Sequence, residues 1–302
     1  MAHDETIIEV LAPAKLNLFL HITGKRDDGF HFLESLFVYC DFGDRLKISS
    51  ASDFELEISG PFGPVLAELC PDNNDNLILK AARKLAGYAE EKGMDICPVH
   101  IALQKNIPVA AGVGGGSADA AAVLGGLIEF WGLDVSDDDL HKIALELGAD
   151  VTASLSFGPK WVTGIGEVIS PLEAIPSFYV VLVNPCVPLS TPSVFKAYSE
   201  SDPIFENERG AQTNFGSLES LLEFLGQSKN QLENVAVGLE SEIDEVLNSL
   251  LNQSDCQLAR MSGSGPTCFG IFTDLITAEK ALDEIETSHP DWWVEVANVL
   301  GK

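Results

Sequence analysis

Residues 108–122 read Pro108-Val-Ala-Ala-Gly112-Val-Gly114-Gly115-Gly116-Ser117-Ala118-Asp119-Ala-Ala-Ala. Gly112, Gly114, Gly115 and Gly116 fall within five residues, so little side chain stands in the way of a ligand and backbone amides can approach an anion closely. The alanine-rich run that follows is a helix signal, starting at about Ser117. Its first N–H groups and the positive end of its dipole point at the same place. Phosphate is the natural ligand for that geometry. The stretch is not a Walker loop, because no Lys follows Gly116. It is a poor dinucleotide fingerprint, since Ser117 occupies the third glycine position and the helix leads to Asp134-Val-Ser-Asp and another helix rather than to a second strand. A flexible turn capping a helix is the plainer reading, but one glycine would suffice for that.

The surrounding 302 residues are 46% hydrophobic and 21% charged, a globular composition with ample core material. The formal net charge is -28, which repels nucleic acid and anionic membrane but leaves room for a phosphate held by amides and one or two local cations. Cys40, Cys70, Cys97, Cys186, Cys256 and Cys268 form no C-x-x-C pair, so neither a zinc site nor a redox motif is indicated. Residues 1–6 are acidic, and neither a secretory leader nor a membrane-spanning run is visible. A cytoplasmic location, as a monomer or homodimer without nucleic-acid or membrane partners, is expected.

Working outward, residues 15–22 alternate, with Leu16, Leu18, Leu20 and Ile22 on one face and Lys15, Asn17, Phe19 and His21 on the other, a period-2 strand. Residues 24–29 form a polar turn, 30–39 a strand, 41–44 a second turn, and 46–48 and 54–58 further strands. Asn74 or Asp75 is expected to cap a helix with the stripe Ile78, Ala81, Ala82, Leu85 and Ala89. Val99, Ile101 and Leu103 alternate as a strand. Ser136 with Asp139 opens a helix that Gly148 closes. The pattern then restarts: a buried strand at 178–183, a polar loop at 199–214, helices at 217–225 and 231–250, strand–turn–strand over 258–272, a helix at 278–285 and a last strand at 293–300. Mixed β-then-α order, given twice, predicts an α+β protein of two domains, 1–158 and 159–302.

Other segments carry polar groups in patterns. In Pro13-Ala-Lys15-Leu-Asn17, the Lys and Asn side chains share a strand face ~7 Å apart. Taken alone this is a solvated face. Gly148-Ala-Asp150-Val, taken alone, is a turn, and Met261-Ser-Gly263-Ser264-Gly265-Pro-Thr a hairpin loop.

Taken together and in this order, the three segments around Lys15, Gly112–Ser117 and Gly263–Gly265 resemble the signatures of the galactokinase–homoserine kinase–mevalonate kinase–phosphomevalonate kinase (GHMP) superfamily, and the resemblance covers nearly the whole chain. It implies an N-terminal ribosomal protein S5 domain 2-like half and a C-terminal ferredoxin-like α/β sandwich. It also implies ATP with Mg2+ as cofactors: Pro108, Gly112, Gly114, Gly115, Gly116, Ser117, Ala118 and Asp119 at the nucleotide phosphates, Asn76 near adenine and ribose, and no assignable metal ligands. Lys15 and Asp150 take the catalytic places, Asp150 as base and Lys15 as the cation that stabilises developing charge and keeps Asp150 ionised. Thr152 stands where proline is usual, and Ala110 and Ala111 stand where glycine or other small residues are common.

Asp28-Gly-Phe30-His31 and the triple glycine resemble the branch acting on 4-diphosphocytidyl-2-C-methyl-D-erythritol, in the methylerythritol phosphate route to isoprenoid precursors. There His31 would hydrogen-bond the cytosine and Phe30 stack on it. Thr191-Pro-Ser-Val-Phe195 would supply a second ring, Phe195, and Asn17, Gly263, Ser264 and Gly265 further substrate contacts. Gly164-Ile-Gly166-Glu167 resembles a structural segment of the family. A homoserine or mevalonate kinase would not need the Asp28–His31 segment. A non-catalytic sensor of the same fold would not need both Lys15 and Asp150.

Overall fold

A computed structural model describes residues 6–212 and 214–301. Residues 1–5, part of the acidic start, and Thr213, in the predicted polar loop, lie outside the described residues. The chain divides into two compact units: Met1–Ala14, Gly43–Val109 and Gly115–Ser156 form one, and Lys15–Phe42, Ala110–Gly114 and Phe157–Lys302 the other. Two long strands, β1 (Ile8–Lys25) and β2 (His31–Ser50), pair with each other, and each contributes residues to both units.

In the first unit, β3 (Glu55–Ser59) pairs in parallel with β4 (Val99–Gln104), and β2 pairs antiparallel with β4 from Arg45↔Gln104 to Ser50↔Val99. A parallel neighbour needs a crossover. Helix α1 (Gly63–Leu69), a 3-10 turn (Asn73–Asp75) and α2 (Leu77–Glu91) provide it. The predicted stripe Ile78, Ala81, Ala82, Leu85 and Ala89 is buried. The cap of α2 is Asn76, whose side chain accepts from Ile78 N, rather than Asn74 or Asp75, which belong to the 3-10 turn. Helix α3 (Gly115–Trp131) starts two residues earlier than expected. Ser136 caps α4 (Asp137–Leu147) as predicted, and a short α5 (Ala149–Ala153) follows. Helices α2 and α5 both pack on α3.

The expected turn at 41–44 does not exist, because β2 runs straight through it. Asp-Phe-Gly-Asp is turn-like in composition, but its glycine serves a close approach. A Cβ on Gly43 would sit 2.0 Å from Ala12 O and 2.7 Å from Pro13 Cα. Asp44 is wholly buried and bonded, as described below.

In the second unit, β2 pairs with β5 (Lys160–Thr163), which pairs with β6 (Val168–Pro171) across the tight Gly164–Glu167 turn. A separate antiparallel sheet has the order β10-β7-β9-β8, from β7 (Tyr179–Asn184), β8 (Leu258–Met261), β9 (Cys268–Phe272) and β10 (Trp293–Asn298). In strand sequence that is 4-1-3-2, the order of a βαββαβ ferredoxin-like sandwich. Between β7 and β8 lie α6 (Thr191–Glu200), α7 (Leu218–Gly226), α8 (Glu233–Leu239) and α9 (Glu242–Leu251); α10 (Leu275–Ser288) precedes β10. The single helix expected over 231–250 is broken where Glu240 turns extended, at φ -141 and ψ 100. Leu20 and Ile22 of β1 join Val181, Val183, Phe272 and Ile285 in this unit's core.

The segment between α6 and α7 has no helix or strand among its described residues, yet it is anchored. The fully buried Glu34 accepts Arg209 N at 2.8 Å and Gly210 N at 2.9 Å, and its Oε1 also takes the indole N–H of Trp161.

Candidate active site

In the second unit, three segments far apart in sequence meet. Lys15 is 8% exposed; its ammonium donates to Asn17 Oδ1 at 2.7 Å and lies 4.3 Å from the centre of the Phe37 ring. Its backbone N–H donates to Val113 O, and a Cβ on Gly114 would lie 3.1 Å from Lys15 Cε. Asn17 Nδ2 donates to Ser35 Oγ at 2.9 Å, and that hydroxyl donates to Phe19 O. Asn17 N donates to Ser262 Oγ, whose hydroxyl donates to Gly112 O, each at 3.1 Å. Every donor in this chain has one direction, so the amide of Asn17 and the position of Lys15 are fixed together.

Gly112 has φ +75, and a Cβ there would fall 2.6 Å from Ser262 O and 2.7 Å from Gly265 O. Both conformation and space therefore require glycine. Thr267 N donates to Ala111 O at 3.2 Å, so residues 111–112 and 262–267 pack backbone to backbone. Asn230 holds the second loop from behind: its Nδ2 donates to Met261 O and Gly263 O, each at 2.8 Å. Ser264 and Thr191 share a hydroxyl hydrogen bond at 2.7 Å. Asn184 donates to Thr267 Oγ1 at 2.7 Å. Ser35, Asn184 and Asn230 lie outside the quoted motifs; isolated polar residues carry no periodic signal, and only the fold converges them on Ser262 and the rest of the third segment.

The Asp28–His31 segment divides. Asp28 pairs with Arg26 at the surface, and Phe30 is 60% exposed. His31 is buried, and its ring stacks on Phe195 at 5.4 Å between centres and 30° between planes. Tyr198 meets it edge-on, and Ser199 Oγ lies 3.1 Å from Nε2. Burial, with Lys25 adding to it, lowers the pKa of His31, which favours the neutral ring. Phe195 thus faces the imidazole itself. Residues 195, 198 and 199 share one face of α6 at i, i+3, i+4, a spacing that could have flagged Tyr198 and Ser199 from sequence.

In the first unit, Gly115, Gly116, Ser117 and Ala118 form the first turn of α3, and nothing lies within 4 Å of a Cβ built on Gly116. Pro108 is buried just before the loop. Asn76 Oδ1 is taken by its capping bond to Ile78 N at 2.9 Å. The side chain of Asp119 is buried and receives Lys105 Nζ at 2.8 Å, so it lies in the protein interior. Lys105 also donates to Asp44 Oδ2, whose other oxygen accepts Asn106 N and Ile107 N. Asp150 stands in the first turn of α5 with its side chain exposed. Thr152 N donates to Gly148 O at 3.2 Å, and its hydroxyl reaches the same oxygen. Proline at 152 would lack that N–H, so here the segment is held by hydrogen bonds. Among the described residues no group of three or more His, Cys, Asp or Glu side chains is placed to hold a metal ion. No helix among them is long and apolar enough to cross a membrane.

Comparison with known proteins bears on the same segments. Residues 76–158 match the family model of the GHMP kinases N terminal domain, and residues 209–291 that of the GHMP kinases C terminal. A 4-diphosphocytidyl-2-C-methyl-D-erythritol kinase of Paramagnetospirillum magneticum is 43% identical over 98% of this chain and 99% of its own length. One from Rhizobium meliloti is 42% identical over 96% and 95%. A crystal structure of 4-(cytidine 5'-diphospho)-2C-methyl-D-erythritol kinase superposes with a TM-score of 0.76 at 31% identity, covering 98% of this chain and all of the other. Homoserine kinase from Cytophaga hutchinsonii, at a TM-score of 0.70 and 17% identity, shares the fold. The chain belongs to the GHMP kinase family, among its 4-diphosphocytidyl-2-C-methyl-D-erythritol kinases.

Proposed function

We propose that this protein transfers the γ-phosphoryl group of ATP to the 2-hydroxyl of 4-diphosphocytidyl-2-C-methyl-D-erythritol, a step on the way to isoprenoid precursors. The observation that carries the substrate is near-full-length similarity, at 40–43% identity, to relatives bearing that kinase's name. The hydrogen-bonded chain from Lys15 through Asn17 and Ser262 to Gly112 supports the chemistry. It joins a catalytic cation to the glycine loop with few degrees of freedom left.

In this reading the Asp150 carboxylate accepts the hydroxyl proton. The alkoxide oxygen forms a bond to the γ-phosphorus as the bond to the bridging oxygen of ADP breaks. Lys15 stabilises the charge that develops on the attacking oxygen and the γ-phosphoryl group, and the first N–H groups of α3 with the 112–116 amides bind the phosphates. Phosphoryl transfer needs positioning and electrostatics more than covalent help from the protein. A carboxylate base adds about 10²–10⁴-fold. His31, with Phe30 and Phe195, reads the cytosine, and Gly263–Gly265 closes over the phosphates. Mg2+ would enter with ATP and neutralise its phosphates; among the described residues no group of three or more His, Cys, Asp or Glu side chains is placed to hold it.

The test is ADP release from ATP with the diphosphocytidyl compound, homoserine and mevalonate supplied separately. Release with the first alone is the expected result; release with another alcohol would remove the cytosine reading of His31. Asp150→Asn should retain ATP binding and lose most turnover, and near-normal turnover would remove Asp150 from its role.

A further inference from the structure

Lys105, Asp44 and Asp119 form a buried charged cluster that the mechanism above does not use. Their side chains are 4%, 0% and 3% exposed. The cluster straddles the glycine loop. On the entry side Asp44 Oδ1 accepts Asn106 N at 2.6 Å and Ile107 N at 3.0 Å, the two amides before Pro108. On the exit side Lys105 Nζ bonds Asp119 Oδ2, in the second turn of α3, at 2.8 Å, and lies 3.0 Å from a Cβ built on Gly115. Lys105 also bridges back to Asp44 at 2.5 Å. The loop's two flanks are therefore tied through one ammonium group.

The cluster is unbalanced. One cation serves two carboxylates, and Asp119 Oδ1 is buried without a hydrogen-bond partner. Asp44 spends both oxygens on N–H donors; Asp119 receives one. Burial and the neighbouring Asp44 push the Asp119 pKa up to about 7 against the pull of Lys105, while Lys105, held by both carboxylates, is raised. The charges acting on Asp119 are those of Lys105 and Asp44. Helix α2, packed on α3, keeps Lys80, Arg83, Lys84, Glu90 and Glu91 exposed, and α5 contributes the exposed Asp150.

The geometry points to Lys105 as a positioning residue for the nucleotide: with Asp44 and Asp119 it clamps the phosphate-facing end of α3, and Asp119 is the member whose charge the bound phosphates sense. With Asp119 neutral the cluster carries no net charge. With Asp119 ionised, a negative charge lies beneath the helix end that must attract phosphate, opposing the dipole. The inference rests on the reading that this loop holds the phosphates of ATP.

The test is the Kd for ATP, without acceptor, measured by titration calorimetry on the wild type and Asp119→Asn between about pH 6 and about pH 8.5. ATP's own titration is common to both proteins and cancels in the ratio. The wild-type Kd should match that of the variant at the acid end and exceed it about threefold at the alkaline end, the order expected of one unit charge in a partly aqueous medium. Lys105→Met should weaken ATP binding at least about tenfold, and Lys105→Met/Asp119→Asn should recover part of that loss. A third variant, Gly116→Leu, fills open space at the loop and should abolish ATP binding in a folded protein. If Gly116→Leu abolishes binding while the wild-type to Asp119→Asn ratio stays flat with pH, the clamp is overturned and the loop reading stands. If Gly116→Leu binds ATP normally, the loop reading is overturned and the clamp's role falls with it.

Discussion

Lys15 donates to Asn17 Oδ1 at 2.7 Å, two residues along the same strand and on the same face. A lysine on a strand face ordinarily reaches for solvent. This one is folded back onto its neighbour, over the Phe37 ring, and held there because Asn17 is itself held by Ser35 and Ser262.

Asn17→Ala removes an acceptor of a buried ammonium and the donor to Ser35 at once. The expected result is a fall in kcat of at least about tenfold, with a stability loss of about 1–3 kcal/mol from the buried hydrogen bonds removed. Asn17→Asp keeps an acceptor for Lys15 but loses the donor to Ser35, and should recover part of the turnover. Steady-state kinetics on both variants, beside denaturant unfolding, separates the two effects. Unchanged turnover in Asn17→Ala would show that Lys15 needs no such fixing.

Asn230 supports the other loop through Met261 O and Gly263 O, and its Oδ1 caps the chain at Leu232 N. Replacing it with Ala leaves two carbonyls unpaired where Ser262 meets Gly112. The KM for the acceptor should rise about fivefold or more, and stability should fall by about 1–3 kcal/mol. Asn230→Ala with wild-type KM would mean that the 262–265 loop holds its shape without this support.

The strands and helices were legible wherever hydrophobic periodicity was strong, as in β1 and α2, and β7 from its continuous apolar run. The glycine loop was legible as an anion site from its own residues, and the order of the three motifs only through their resemblance to the family's signatures. What failed did so for physical reasons. Asp41–Asp44 looked like a turn because aspartate and glycine favour turns, whereas here the glycine permits a backbone approach and the second aspartate is buried on a lysine. The 231–250 helix kept its apolar period across a break that only the backbone of Glu240 reveals. Asp119 reads as a site residue by its place in the motif, yet its carboxylate is spent on Lys105, 14 positions away and unremarkable in sequence.

The cluster also makes a prediction about stability. Folding raises the Asp119 pKa from 3.8 to about 7, through burial and Asp44. The folded state therefore keeps a proton that the unfolded chain releases. Wild-type stability should fall as pH rises from about 4 to about 7 and level off above, whereas Asp119→Asn escapes this loss. Melting temperatures of the two proteins should diverge across that window, in favour of the variant at neutral pH. Parallel curves would place the Asp119 carboxyl in the ordinary range.

Gly43 and Gly87 make a matched pair for the close-approach argument. A Cβ on Gly43 would lie 2.0 Å from Ala12 O, 2.7 Å from Ala12 C and 2.7 Å from Pro13 Cα, all backbone of β1, so no side-chain rotation relieves it. A Cβ on Gly87, inside α2, meets nothing within 4 Å. Gly43→Ala must therefore separate β1 from β2 or distort one of them, and should cost more than about 3 kcal/mol, enough to leave little soluble protein. Gly87→Ala should stabilise by about 0.5–1 kcal/mol through helix propensity alone. Thermal unfolding of both decides the matter. If Gly43→Ala melts within a few degrees of the wild type, the strands can part at this point at little cost, and the turn-like composition of 41–44 reflects real local freedom rather than a backbone contact.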